Sequence, residues 1–408
     1  MTSKYVRAAL TAVFLLGATG AVYAQSKPRL TVGVQKALVE AQTASKKQDY
    51  ATALAAIVKA RAVSSRTPYD NLQITRYAMS LHLQNKDMAN ATIEGEAAAD
   101  MDPAIIPEDE KHMVYTAGLQ LAVTAKHYDK AAKYAKLVQT TTPPPDENVL
   151  AMAAQAMYLG KDFAGAQELA QKNIAAAKAA GKQPQRSDFE IVMSAQVQMN
   201  NQGAAEQTLE QMVATYDDPK DWAQYLGVSL GVKGMRDIDY VYLGRLMFST
   251  KAAPMQANDM LLVGSNANKQ GLYGDAEQAQ KQGGPAPDAR MGADRKSIPQ
   301  QIQAGAKEGG EYNVKTAQAL YGYGMYAEAE TMARQAKTKG GMKDPTEADM
   351  VIGMSQLAQG KAADAVATFK GITAPNPASA RVLRLWVMHA QSKASPATAA
   401  APAPAPAQ

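Results

Sequence analysis

The 408-residue chain contains no cysteine. That excludes disulfides and thiolate metal sites, and it removes the residue that a bacterial lipoprotein needs for lipidation just after its leader. Histidine is almost as scarce: His82, His112, His127 and His389 stand singly, with no pair at helical ligand spacing, so neither a metal site nor a cofactor is expected. Charge is nearly balanced, with 43 Lys and Arg against 38 Asp and Glu. No dense basic run interleaved with aromatic residues occurs, which argues against a dedicated nucleic-acid surface. Long apolar runs are missing too. Beyond residue 24 none approaches the roughly 20 residues needed to cross a bilayer, so no transmembrane segment is expected in the mature chain.

The first 24 residues are different in kind. Lys4 and Arg7 precede a mostly apolar run over residues 8–18, and the segment ends on Val22, Tyr23 and Ala24 before Gln25. A basic start, a short apolar middle and small residues before a cut are what an export signal requires, with cleavage expected near Ala24. The expected destination is the periplasm or the exterior. Removing Lys4 and Arg7 lowers the formal net charge from +5 to +3, because this segment holds no acid. Weak attraction to an anionic envelope polymer is compatible with that balance.

Alanine is the commonest residue and methionine is frequent, with 21 copies. Small side chains let helices approach closely, while methionine fills irregular gaps between them. One short phrase keeps returning: a polar or glycine turn, an aromatic or methionine, two variable residues, then a small residue opening an apolar-periodic segment. It occurs at Asp49-Tyr50 to Ala53, Asp87-Met88 to Ala91, His127-Tyr128 to Ala131 and Asp162-Phe163 to Ala166. It occurs again at Leu272-Tyr273 to Ala276, Met325-Tyr326 to Ala329 and Lys361-Ala362 to Ala365, with two weaker copies centred on Ala205 and Ile238. Seven of the eight intervals lie between 33 and 40 residues and one is 53. Nine units follow, each the length of a helix, turn and helix, and each with an apolar face that only a neighbour can bury.

These residues resemble the tetratricopeptide repeat family. The last unit carries the fullest match, with Ile352-Gly353, Gly360, Ala365, Phe369 and Pro377 in register. Val263-Gly264, Gly271, Tyr273 and Ala276 match in part, Pro103 and Pro143 fall at the terminating proline of units two and three, and Trp222 and Tyr242 take the Trp and Phe positions of the sixth. The resemblance covers roughly residues 31–377 and implies an all-α fold, a right-handed α-solenoid of about nine degenerate helical hairpins. Independently of the family, residues 131–138 place apolar side chains three and four apart with Lys on the opposite face. Pro143, Pro144 and Pro145 then stop that helix, and Asp146 is placed to cap the next.

The expected organisation is a signal over residues 1–24, repeats one to seven over 31–282, a Gly/Pro-rich insertion over 283–310, repeats eight and nine over 311–377, a capping helix over 378–393 and an Ala/Pro-rich disordered tail over 394–408. A short helix is expected within the insertion, around residues 297–306. An insertion of that size either carries function or is merely tolerated at a solenoid edge.

No motif makes a convincing case for chemistry. Gly227-Val228-Ser229-Leu230-Gly231 satisfies the nucleophile-elbow pattern of serine hydrolases, which needs a strand before it, a helix after it, and an Asp and a His at the serine. A helical segment precedes it instead, and the only downstream histidine is His389. Glu108, Asp109 and Glu110 read as the acidic first turn of a helix, the methionines as core gap-fillers, and the glycines as repeat turns rather than a phosphate cradle. The protein is therefore expected not to be an enzyme.

In the resembled family the first helix of each hairpin lines a concave groove. Carried across the units, the groove position falls on Gln42, Ser80, Gln120, Gln155, Ser194, Ser265 and Gln318, with Gly227 and Met354 completing the series. Such a neutral Gln/Ser ladder donates and accepts hydrogen bonds without demanding charge, suiting an extended peptide backbone or a glycan. The family's Lys/Asn clamp for a terminal carboxylate is missing. The expectation is a periplasmic scaffold that binds an extended protein segment during envelope assembly or export, with a carbohydrate or peptidoglycan binder as the alternative.

Overall fold

The computed structural model describes residues 28–253 and 255–394; the expected signal and nearly all of the expected tail lie outside the described residues. Among the described residues there are twenty α-helices and no strand. None of the helices is long and apolar enough to cross a membrane. The chain divides between Ala205 and Glu206 into two compact units.

The first unit pairs α1 (Val32–Lys46) with α2 (Tyr50–Ala62), α3 (Pro68–Gln84) with α4 (Met88–Ala99), α5 (Glu108–Ala125) with α6 (Tyr128–Val138), and α7 (Glu147–Leu159) with α8 (Phe163–Ala179). Helix α9 (Arg186–Gln198) then turns into α10 (Gln202–Tyr216), within which the boundary falls. The second unit continues with α11 (Pro219–Leu230), α12 (Asp237–Thr250), α13 (Ala257–Lys269), α14 (Tyr273–Gln280), α15 (Met291–Ala304), α16 (Gly310–Gly322), α17 (Tyr326–Lys339), α18 (Thr346–Ala358), α19 (Ala362–Lys370) and α20 (Pro377–Ala394).

The repeated phrase is the record of one turn used eight times. The first helix of a hairpin ends on a left-handed residue, namely Gln48, Lys86, Lys126, Lys161, Asn200, Gly271, Gly324 and Gly360, with φ between 58° and 80°. The next residue donates its N–H to the carbonyl five positions back, as Asp49 does to Ala44 at 3.0 Å, so the last carbonyls of the helix are satisfied. That same residue starts the second helix. Asp49, Asp87 and Asp162 accept from the N–H groups of Thr52, Asn90 and Gly165 at 3.0, 3.1 and 3.0 Å. Each such cap is worth about 1 kcal/mol. Four residues further on lies the small residue: Ala53, Ala91, Ala131, Ala166, Ala276, Ala329 and Ala365 are all fully buried. A larger side chain there would hold the two helices apart.

Packing in the first unit follows from these small residues. Val34, Ala37, Ala41 and Ala44 of α1 meet Ala53, Ala56, Ile57 and Ala60 of α2, with Ile74, Ala78 and Leu81 of α3 closing the cluster. Where α4 crosses α5 a Cβ on Gly118 would stand 2.6 Å from that of Ala99, so the contact is made by a glycine and an alanine.

The second unit departs from a simple stack. Helix α12 is apolar nearly all round, and residues 241–247 are buried without interruption, as expected of a helix enclosed by others. It packs against α11, α13, α14 and α20. The turn before it is also exceptional, since residues 231–236 replace the short left-handed turn of the other hairpins. Helix α20 lies along α19 and returns to α12, where Trp386 donates to the Tyr242 carbonyl at 3.2 Å and Ser379 to Asp239 at 2.8 Å. In the insertion, the helix expected around residues 297–306 begins earlier, at Met291, and carries Pro299 in its interior.

Candidate binding surface

In the first unit the first helices touch one another directly, α1 with α3, α5 with α7 and α7 with α9, while second helices reach the next hairpin through its first helix. That arrangement places the first helices on the tighter, inner side of the unit. Of the groove positions they carry, Gln155 is exposed and Gln42, Ser80, Gln120 and Ser194 are half-buried. Ser80 accepts from Gln84 Nε2 at 3.1 Å, and Gln84 in turn accepts from Ser45 of α1 at 2.9 Å, so part of the polar ladder is already joined between neighbouring helices.

The ladder also has an apolar component, which includes Met113, one of the methionines expected to fill the core. Val39, Met113 and Val197 are 51%, 39% and 41% exposed, and each lies three or seven residues from a groove position on the same helix. That spacing puts them on the same face as Gln42, Gln120 and Ser194. Met152, three residues before Gln155, is half-buried. The helical period around each groove residue was the signal that could have found them.

Behind this face a buried ion pair joins α3 to α5. Arg76 binds Glu110, and Glu110 also accepts from Gln73 Nε2 at 2.8 Å and from the Tyr69 hydroxyl at 3.2 Å. Burial, reinforced by the Glu110 charge, pushes the Tyr69 phenol up to about 12, so it stays a donor. The network stiffens the wall on which Gln120 stands.

The equivalent positions in the second unit are divided, with Gly227 half-buried. Ser265 is exposed on α13, but Gln318 is fully buried, as is Met354. Gln318 Nε2 donates to the Tyr242 hydroxyl at 2.5 Å, its Oε1 accepts from Arg245 Nη1 at 2.6 Å, and its carbonyl accepts from Arg245 Nη2 at 2.8 Å. Arg245 completes its donors on Asp275 at 2.8 Å and stacks 4.5 Å from the centre of the Tyr321 ring. Burial opposes the charge on Arg245, but the Asp275 carboxylate beside it prevails and raises its pKa. Gln318 is therefore part of the unit's interior, because α12 occupies the space that an open groove would offer.

The serine motif is equally structural. Ser229 lies within α11, fully buried; its Oγ donates to the Tyr225 carbonyl at 2.7 Å and accepts from Arg381 Nε at 3.1 Å. His389 does not approach it. Its Nε2 pairs with Ser249 Oγ at 2.8 Å, its ring packs edge-on to Trp222 at 5.7 Å, and its Nδ1 has no hydrogen-bond partner. Burial, helped by the Lys393 charge and opposed by that of Asp217, pushes its pKa down to about 4. A strand, an orienting acid and an exposed nucleophile are all missing at Ser229.

Among the described residues no group of three or more His, Asp or Glu side chains is placed to hold a metal ion. No protein-family model matches the sequence. No curated protein matches it either. Among solved structures, a tetratricopeptide repeat protein from Parabacteroides merdae is similar to 87% of this chain and 99% of its own, with 10% identity and a TM-score of 0.26.

Proposed function

We propose that the protein is a non-catalytic interaction scaffold whose first unit holds an extended, largely uncharged segment of a partner protein across α1, α3, α5, α7 and α9. The observation that carries this reading is that the ladder Gln42, Ser80, Gln120, Gln155 and Ser194 keeps solvent access on five successive first helices, whereas in the second unit Gln318 and Met354 are buried and the accessible positions are interrupted. Amide and hydroxyl groups pair with a segment's backbone, and Val39, Met113, Met152 and Val197 offer contacts to its apolar side chains. The basic start and short apolar run of residues 1–24 support export, which would bring the scaffold to partners in the envelope.

Replacing Gln42, Gln120 and Gln155 together by Ala removes three side-chain amides from half-buried and exposed positions. Pull-down of envelope proteins by the mature chain, followed by binding assays with the recovered partner, is expected to show at least a tenfold loss of affinity at unchanged melting temperature. Unchanged affinity in the folded triple variant would place the binding surface elsewhere.

A further inference from the structure

The insertion helix α15 is not a loose addition to the second unit, because it builds one wall of a cleft of about 430 Å³ whose other walls come from α12, α14 and the end of α16. That volume falls within the range of roughly 300–1,000 Å³ typical of small-molecule sites. The wall is firmly held. Arg295 lies 4.8 Å from the centre of the Tyr323 ring and pairs with Glu277 at 2.7 Å, while the Tyr323 hydroxyl donates to Asp294 at 2.7 Å. At one side of the cleft Gly324 adds no side chain, and a Cβ built there would meet nothing within 4 Å. Gln278 is tethered through its Nε2 to the Gly322 carbonyl at 3.1 Å, which leaves its amide oxygen as an acceptor.

The remaining lining specifies a chemistry. Phe248 and Tyr323 are only half-buried, whereas Trp222, Trp386, Tyr225, Tyr242, Phe189 and Phe369 are buried completely. Gln278 and Gln282 are planar groups that both donate and accept, the pairing a vicinal diol requires. Glu277 is neutralised by Arg295, while Lys281 is exposed at the cleft and makes no ion pair among the described residues. Lys281 is therefore a lining cation with no ion-pair partner among the described residues, beside an aromatic ring and two amides. A cleft of about 510 Å³ in the first unit lacks this feature: its Lys133 and Lys136 are paired with Asp100 and Asp162 at 2.8 and 2.7 Å.

We propose that this cleft binds a carboxylated sugar, with the apolar face of the pyranose on Phe248, its hydroxyls on Gln278 and Gln282, and its carboxylate on Lys281. The site lies wholly within the second unit, so it stands or falls independently of the peptide surface on the first.

The test uses the full mature chain and two probes that differ only in a lactyl carboxylate, N-acetylmuramic acid and N-acetylglucosamine, titrated by NMR or calorimetry. The acidic sugar is expected to bind with a dissociation constant near or below about 1 mM, at least tenfold tighter than the neutral one. Lys281→Glu, at an exposed position, is expected to erase that preference, and Gln282→Ala to weaken both sugars. Phe248→Ala is expected to do the same, provided its melting temperature shows that it folds. Lys172→Ala, at an exposed position of α8 in the first unit, is expected to change nothing. Absence of binding to the folded wild-type chain, equal affinity for the two sugars, or a preference that survives Lys281→Glu would each overturn the proposal.

Discussion

Arg245 shows at the residue scale how a position that looks available in sequence becomes interior in the fold. The residue is 3% exposed, and its guanidinium uses Asp275, Gln318 and the Tyr321 ring at once. Gln318 stands 73 residues further along the chain, so nothing local in the sequence joins the two. Arg245→Ala leaves the Asp275 carboxylate buried without its cation, and a loss of about 3–5 kcal/mol in denaturant unfolding is expected. An effect below about 1 kcal/mol would mean that water reaches Asp275 and that the second unit is open after all.

His389 makes a pH-dependent contribution with a definite sign. Its folded pKa of about 4 lies below the ordinary 6.5, so between those values the unfolded chain binds more protons than the folded one. The neutral ring is accommodated at no protonation cost above about pH 6.5, and stability falls progressively as pH drops from there to about 4. The full span is worth about 3 kcal/mol. Urea unfolding at pH 7, 5.5 and 4 should show this slope in the wild type and a flatter one in His389→Gln. Equal slopes would mean that other groups govern the acid response.

At the scale of elements, the hairpins were legible because one turn imposes consecutive demands on the chain. A left-handed residue, a capping residue and a buried alanine must follow at fixed offsets, and each demand admits few side chains. Five of these left-handed positions are not glycine, so they carry strain that a glycine would relieve. Lys86→Gly, at φ 60°, is expected to raise stability by about 0.5–1 kcal/mol, after allowance for the greater entropy of the unfolded chain. A destabilised variant would show that the lysine side chain contributes contacts exceeding the strain.

Helix α12 was the least legible element, for a physical reason. Its unit departs from the common turn, so the repeat reading treated Ile238 as a weak copy of an ordinary second helix. The signal lay in its composition: from Val241 to Met247 only Arg245 is charged, and a helix apolar on every side must be surrounded. The same reading cost the methionines their distinction. Met260, Met332 and Met354 do fill the core, but Met113 meets solvent, and only its spacing from Gln120 tells it apart.

Across the whole molecule the two units are expected to do different work. The first presents a polar and apolar face along successive first helices, while the second buries Gln318 and Met354 in its interior and carries α20, whose Arg384 and Lys393 pair with Glu210 and Asp217 at 3.0 and 2.8 Å. Small buried residues make both possible, since the same close helix contacts yield an open layer in one unit and an enclosed helix in the other.

The most direct test of that division is site-specific photo-crosslinking with the mature chain and its captured partner. A photoreactive side chain is placed in turn at positions 42, 120, 155 and 265, and the products are mapped by mass spectrometry. The account predicts crosslinks from positions 42, 120 and 155 to successive residues of one partner segment, and none from position 265. Crosslinks from 265 alone, or a partner that reaches none of the first-unit positions, would contradict it.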